Sequence, residues 1–236
     1  MQNDPMGQAA LDYMSGKREL SIRVRSNIAE DDFIPVDYLF RSFNQMPEIE
    51  QKALMLCKGY VLDIGAGTGS HALYLQQKGL QVDCIDTSEG CKEAALQRGV
   101  TSYYQADFYQ FDTNNKYDTL LLMMNGIGLA GNLKNLDQFL QTLKKHLNPG
   151  GQVMLDSSDL RYLFIDEDSY MMVPMENYYG EVIYTMKYKN HKTQPFPWLF
   201  IDPALLEDKA IENGFTFEKL FDGPHYDYLA KLILKP

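Results

Sequence analysis

Through the middle of the chain, short apolar runs alternate with amphipathic stretches, the pattern of strands and helices taking turns. Residues 60–64 predict a strand that enters a glycine-rich turn and then a helix to about Lys78. Residues 81–85 predict a second strand, followed by a helix to about Gln97. Residues 117–124 are apolar almost throughout, as expected of a central strand covered on both faces. Leu136, Phe139, Leu140, Leu143 and Leu147 then recur at helical spacing, a pattern stopped by Asn148-Pro149-Gly150-Gly151 before a strand at 152–156.

The flanks are less regular. Residues 1–46 read as polar and irregular, with a strand at 21–25 and an aromatic cluster of Phe33, Tyr38, Phe40 and Phe43. Pro47 opens a helix that places Ile49, Ala53 and Leu56 on one face and ends at Gly59. Residues 157–202 are crowded with Tyr, Met and Phe. Within them Val182, Tyr184, Met186 and Tyr188 alternate with Ile183, Thr185, Lys187 and Lys189, predicting one arm of a hairpin with 197–201. A helix from Pro203 and strands at 215–220 and 228–234 close the chain, and the short link between those strands makes them antiparallel.

Strand–helix alternation implies a parallel sheet between helices. The expected architecture is a Rossmann-like α/β three-layer sandwich whose seven-stranded, mostly parallel sheet has an antiparallel last strand, plus an inserted hairpin. A chain of 236 residues, 45% hydrophobic, suffices for one such domain. Residues 1–46 are then an N-terminal extension able to act as a lid, and 47–236 the main domain with its insertion at about 157–202.

Charge and composition narrow the partners. The net charge of -10 and the lack of a basic block argue against nucleic acid. The longest apolar run, residues 120–124, is far too short for a bilayer, so a soluble cytoplasmic protein with no membrane association is expected. Cys57, Cys84 and Cys91 are odd in number and lack metal-ligand spacing, so they are expected as ordinary thiols, with no metal site.

The informative segment is Asp63-Ile64-Gly65-Ala66-Gly67-Thr68-Gly69, a strand end running into three alternate glycines. Glycine lets the backbone turn sharply and lets a ligand lie directly on it. Asp86 ends the second strand, where a carboxylate can accept bonds from ribose hydroxyls. A dinucleotide would place its pyrophosphate over this turn, and Asp63 would repel it. S-adenosylmethionine has no phosphate but carries a sulfonium and an ammonium, which Asp63 attracts. A dinucleotide fingerprint also wants glycine at position 70, where Ser70 stands.

On these residues, 60–156 resembles the class I S-adenosylmethionine-dependent methyltransferase family. The resemblance assigns Asp63, Gly65, Ala66, Gly67 and Gly69 to cofactor binding, with Asp86 and Thr87 at the ribose. Ala106-Asp107-Phe108 resembles the adenine site, where Asp107 bonds the exocyclic amine and Phe108 helps frame the ring. Asn125 and Gly126 lie where the family brings cofactor and acceptor together. Members that methylate nucleobase or glutamine amide nitrogens usually carry Asn or Asp, two prolines and an aromatic there. This chain has Asn125-Gly126-Ile127-Gly128, so those acceptors are not supported.

The implied activity is methyl transfer to a small-molecule acceptor, the alternative being a non-catalytic S-adenosylmethionine-binding module working through a partner. A nicotinamide-dependent oxidoreductase ranks third. Methyl transfer rests mainly on alignment, so no strong base is required. Of the four histidines, His225 is the weak catalytic candidate. His71 suits either cofactor contact or helix packing, His146 the dipole at its helix end, and His191 the hairpin. The aromatic insertion, with Trp198, suits an acceptor lid, a cover for the sheet edge or a homodimer interface. Arg41 suits either the cofactor carboxylate or an internal salt bridge.

Overall fold

The computed structural model describes residues 4–165 and 177–235. Helix α1 spans Pro5–Met14, strands β1 and β2 Ser21–Ser26 and Asp32–Pro35, and helix α2 Glu48–Leu56. The central units follow as β3 (Tyr60–Ile64), α3 (Ser70–Gln77), β4 (Gln81–Asp86), α4 (Glu89–Arg98), β5 (Tyr103–Gln105), β6 (Tyr117–Leu122), α5 (Leu136–His146) and β7 (Leu147–Ser158). The insertion supplies β8 (Glu181–Tyr188), the two-residue β9 (His191–Lys192) and β10 (Phe196–Leu199). Helix α6 (Pro203–Glu212), β11 (Phe215–Asp222) and β12 (Asp227–Leu234) complete the chain.

The main sheet has the order β11-β12-β7-β6-β3-β4-β5. Pairs β3/β4, β4/β5, β3/β6 and β6/β7 are parallel, while β12 runs antiparallel to both β7 and β11. One face packs Leu62, Leu120 and Leu155 against Phe139 and Leu143 of α5 and Leu206 of α6. The other packs Val61, Leu121 and Met154 against Ile49 of α2, Ala72 and Leu75 of α3, and Ala95 of α4. The three-layer expectation holds, with each strand alternating between two apolar cores.

Order reverses at β3: β4 and β5 lie to one side, β6 and β7 to the other. In open α/β sheets, ligands bind at the carboxyl ends of the strands flanking such a reversal. The glycine turn leaves β3 at this point.

The expected hairpin is one part of a second sheet, β10-β8-β1-β2, all antiparallel, with β9 folded onto β8. The N-terminal extension and the insertion therefore share a single sheet. Val182 and Tyr188 are buried while Ile183 and Lys187 are exposed, as the alternation required. Residues 166–176 of the insertion lie outside the described residues.

Three local expectations are corrected. Residues 5–14 are helical: Asp4 caps the Gly7 N–H at 2.8 Å, and α1 buries Ala9 and Ala10, a face too small to register as an apolar stripe. It lies so close to α4 that a Cβ on Gly90 would stand 2.5 Å from the Gly7 carbonyl carbon. In α2 the buried face holds Ile49, Glu50, Ala53 and Leu54, while Leu56 is exposed, because Glu50 points inward to charged partners. The four N-terminal aromatics separate: Phe33 is exposed, Phe40 stacks on Tyr13, and Phe43 stacks on Tyr74.

Candidate functional site

The turn after β3 is held open by its glycines. Gly65 and Gly67 have φ of +75° and +52°, and a Cβ on either would meet no atom within 4 Å, so both border open space. Gly69 differs. Its φ is +79°, and a Cβ there would lie 2.5 Å from the Val100 side chain, so packing alone already requires glycine. Packing requires glycine at Gly126 too, where a Cβ would lie 2.6 Å from Leu122 Cβ.

Asp63 is 1% exposed, and its Oδ2 has no hydrogen-bond partner. Burial pushes its carboxyl up to about 6, against a lowering influence from His71 and a raising one from Asp86. Arg41 is equally enclosed. Its Nη2 meets Glu50 Oε1 at 2.6 Å, its Nη1 donates to the Tyr38 carbonyl at 2.6 Å, and its Nε has no partner. Glu50 also faces His71 Nε2 at 2.7 Å. Burial raises the Glu50 carboxyl, but His71 and Arg41 outweigh it and hold the group below the usual carboxylate range. The salt bridge foreseen for Arg41 thus exists, and His71 packs against Glu50. Asp63 and Arg41 thus each keep an unsatisfied polar atom, which is costly in a buried position.

Asp86, at the end of β4, accepts the Gly67 N–H and the Ser88 N–H at 2.9 Å each. Burial raises its carboxyl. It braces the glycine turn directly. Thr87, beside it, is exposed, and Ala66 is buried within the turn. Asp107 is exposed and caps the short helical turn at Phe108–Gln110 by accepting the Tyr109 N–H at 2.8 Å. The Phe108 ring is buried against Phe139 and His146.

At the end of β6, Met124 and Asn125 both adopt left-handed backbone, with φ of +64° and +58°. Such conformations are costly outside glycine and cluster at functional sites. The Asn125 amide is fully engaged, donating to the Leu199 carbonyl and accepting from the Ser157 hydroxyl at 3.0 Å each. Its part in the site is therefore carried by its backbone, whose N–H donates to Asp156 Oδ1 at 2.9 Å.

The second sheet is joined to this edge at several points. The Leu39 carbonyl accepts from the hydroxyls of Thr68 and Ser70. Arg98 donates to the Thr68 and Phe40 carbonyls, and Asp4 accepts from Ser88 Oγ and the Gly90 N–H. Trp198 lies against Gly128, where a Cβ would be 2.0 Å from its Nε1.

One sequence expectation for histidine changes. His146 is buried between Phe108 and Phe111, and burial lowers its pKa, so it is not a charged partner for the helix dipole. His225 is exposed on the turn before β12 and contacts Asp227 only through its backbone. Glu50 and Asp156 were missed, since a single Glu on an amphipathic helix reads as a solvent-facing residue. The signal for Asp156 was its position at the end of the fifth parallel strand. Among the described residues, no group of three His, Cys, Asp or Glu could hold a metal, and no helix is long and apolar enough to cross a membrane.

A parallel sheet reversing at β3, an open glycine turn and an acid ending β4 define an α/β domain for a nucleoside-bearing cofactor. Residues 61–151 match the family model described as a methyltransferase domain. The S-adenosylmethionine-dependent methyltransferase from Bacteroides fragilis, solved in complex with S-adenosyl-L-homocysteine, is 42% identical. The match covers 99% of this chain and 96% of that one, with a TM-score of 0.92. The chain belongs to the S-adenosylmethionine-dependent methyltransferase family. A sugar N-methyltransferase from Streptoalloteichus shares the fold at 18% identity, covering 89% of this chain and 97% of that one with a TM-score of 0.58. A ubiquinone biosynthesis O-methyltransferase from Rickettsia conorii is 24% identical over 155 residues, 62% of this chain and 52% of that protein. The cypemycin N-terminal methyltransferase from Streptomyces is 29% identical over 103 residues, 42% of each. The chain thus spans about half the length, or less, of these curated relatives.

Proposed function

We propose that this protein binds S-adenosylmethionine on the glycine turn and transfers its methyl group to a small-molecule acceptor. The observation that carries this reading is the pair of orphaned buried atoms, Asp63 Oδ2 and Arg41 Nε. An amino-acid moiety satisfies both, its ammonium donating to Asp63 and its carboxylate accepting from Arg41. A pyrophosphate satisfies only the second and is repelled by Asp63, Glu50 and Asp86. Gly65 and Gly67 leave room for close approach, Asp86 receives the ribose hydroxyls and Asp107 the adenine amine. When bound, the cofactor supplies a methyl group activated by its own sulfonium charge. The protein's part is alignment, which can lower the barrier by about 7 to 11 kcal/mol.

The second sheet, formed by the N-terminal segment and the insertion, serves as the cap over this site and shapes the acceptor pocket, with Trp198 on its wall. The small-molecule acceptor is supported by the ubiquinone-biosynthesis O-methylation and sugar N-methylation named for two relatives and by the net charge of -10. A cytoplasmic setting is supported by three free cysteines, of which burial pushes the Cys57 thiol up to about 12 and those of Cys84 and Cys91 well up.

The test is incubation with methyl-labelled S-adenosylmethionine and a low-mass metabolite fraction. Stoichiometric S-adenosylhomocysteine and a labelled small molecule are expected. Tight cofactor binding without any labelled product would favour a binding module instead.

A further inference from the structure

The carboxyl edge of the main sheet carries one acid that the cofactor reading leaves unused. In the register, Asp63 of β3 pairs with Leu121 of β6, and Leu121 with Met154 of β7. Val61, Leu121 and Met154 face the same core, so Asp63 and Asp156, each two residues beyond such a position, face that side as well. Asp156 lies two residues past the level of Asp63, level with the glycine turn. At about 4.8 Å per strand, it stands two strands, or about 10 Å, from the turn. Along the edge the order is Asp86 on β4, the turn after β3, the left-handed Asn125 after β6, then Asp156 on β7. A cofactor whose ribose is at β4 directs its other end toward β6, so Asp156 stands on the acceptor's side.

Its carboxyl is held by the backbone at the end of β6. Oδ1 accepts the Asn125 N–H at 2.9 Å, and the Gly126 N–H also favours the charged carboxylate. The Asn125 N–H is aimed by the left-handed backbone of Met124 and Asn125, so the strain at the end of β6 serves to hold this acid. Burial, opposed by the Asn125 and Gly126 N–H groups and reinforced by the charge of Glu50, pushes Asp156 up to about 7. A carboxylate so placed is basic enough to take a proton near neutrality.

We infer that the Asp156 carboxyl faces the transferring methyl group and receives the proton of the acceptor, which is therefore a hydroxyl or an amine bearing hydrogen. This rests on the cofactor reading above. As the acceptor's oxygen or nitrogen bonds to the methyl carbon, the carbon–sulfur bond breaks and its electron pair stays on sulfur. The acceptor's proton passes to Asp156, which later releases it to water.

The test needs no acceptor. Sinefungin has a carbon bearing an amine in place of the sulfur and methyl of S-adenosylmethionine, and S-adenosylhomocysteine has the sulfur without the methyl. Calorimetric titration of the full chain with both probes, as wild type and Asp156→Asn, reads the environment of that position. In Asp156→Asn the amide oxygen keeps the backbone bond and an NH₂ replaces the other carboxylate oxygen, so it opposes an amine. The preference for sinefungin over S-adenosylhomocysteine should fall about tenfold or more, with S-adenosylhomocysteine affinity kept within about threefold. An unchanged preference, with both probes bound, overturns the role of Asp156. Failure of the wild type to bind either probe overturns the cofactor reading instead.

Discussion

Arg41 and Glu50 meet at 2.6 Å with side chains only 4% and 3% exposed, joining the N-terminal segment to helix α2. Glu50 holds His71 at the same time, so one carboxylate fixes two groups beside the glycine turn. Removing one partner of a buried pair leaves the other uncompensated.

Glu50→Ala is therefore expected to cost about 3 to 5 kcal/mol of stability, measured by urea unfolding. It should also weaken S-adenosylmethionine binding, because Arg41 loses the contact that aims its Nε. A loss below about 1 kcal/mol would show that the cluster is not structurally coupled.

Substitutions in the glycine turn should separate into two kinds. Gly65→Ala and Gly67→Ala place a methyl in open space and strain a positive φ, so each should cost about 1 kcal/mol of stability yet reduce cofactor affinity at least about tenfold. Gly69→Ala drives a methyl into Val100 and should act mainly through stability. Thermal unfolding and calorimetry on the three variants check the division.

Asp63 makes the unliganded protein sensitive to pH. Its folded carboxyl stands at about 6 against a usual 3.8, so protonation favours the folded state. The stability this contributes is fully present below about pH 4 and is lost as pH rises through about 6. The loss is about 2 to 3 kcal/mol. Urea unfolding between pH 4 and 7 should show a steeper decline for wild type than for Asp63→Asn; parallel curves would contradict the burial of that charge.

The parallel core was legible because its strands are apolar runs bounded by glycine, and neighbours in sequence pair in the sheet. The second sheet was not. Val24 pairs with Met186 across more than half the chain, and no local pattern carries such a pairing. Helix α1 escaped notice because alanines and glycine make its buried face. In the site, Asp63, Gly65, Gly67 and Asp86 could be read from spacing, since a turn and a strand end are local features. The packing of Gly69 and Phe108 could not, because their partners Val100 and Phe139 come from other elements.

The central claim is tested most directly by calorimetric titration of wild type and Asp86→Ala with S-adenosylmethionine, S-adenosylhomocysteine, NADH and NADPH. Wild type should bind the first two saturably and neither nicotinamide, and Asp86→Ala should weaken both at least about tenfold through loss of a charge-assisted contact. Binding of a nicotinamide cofactor alone, or unchanged affinity in Asp86→Ala, would contradict it.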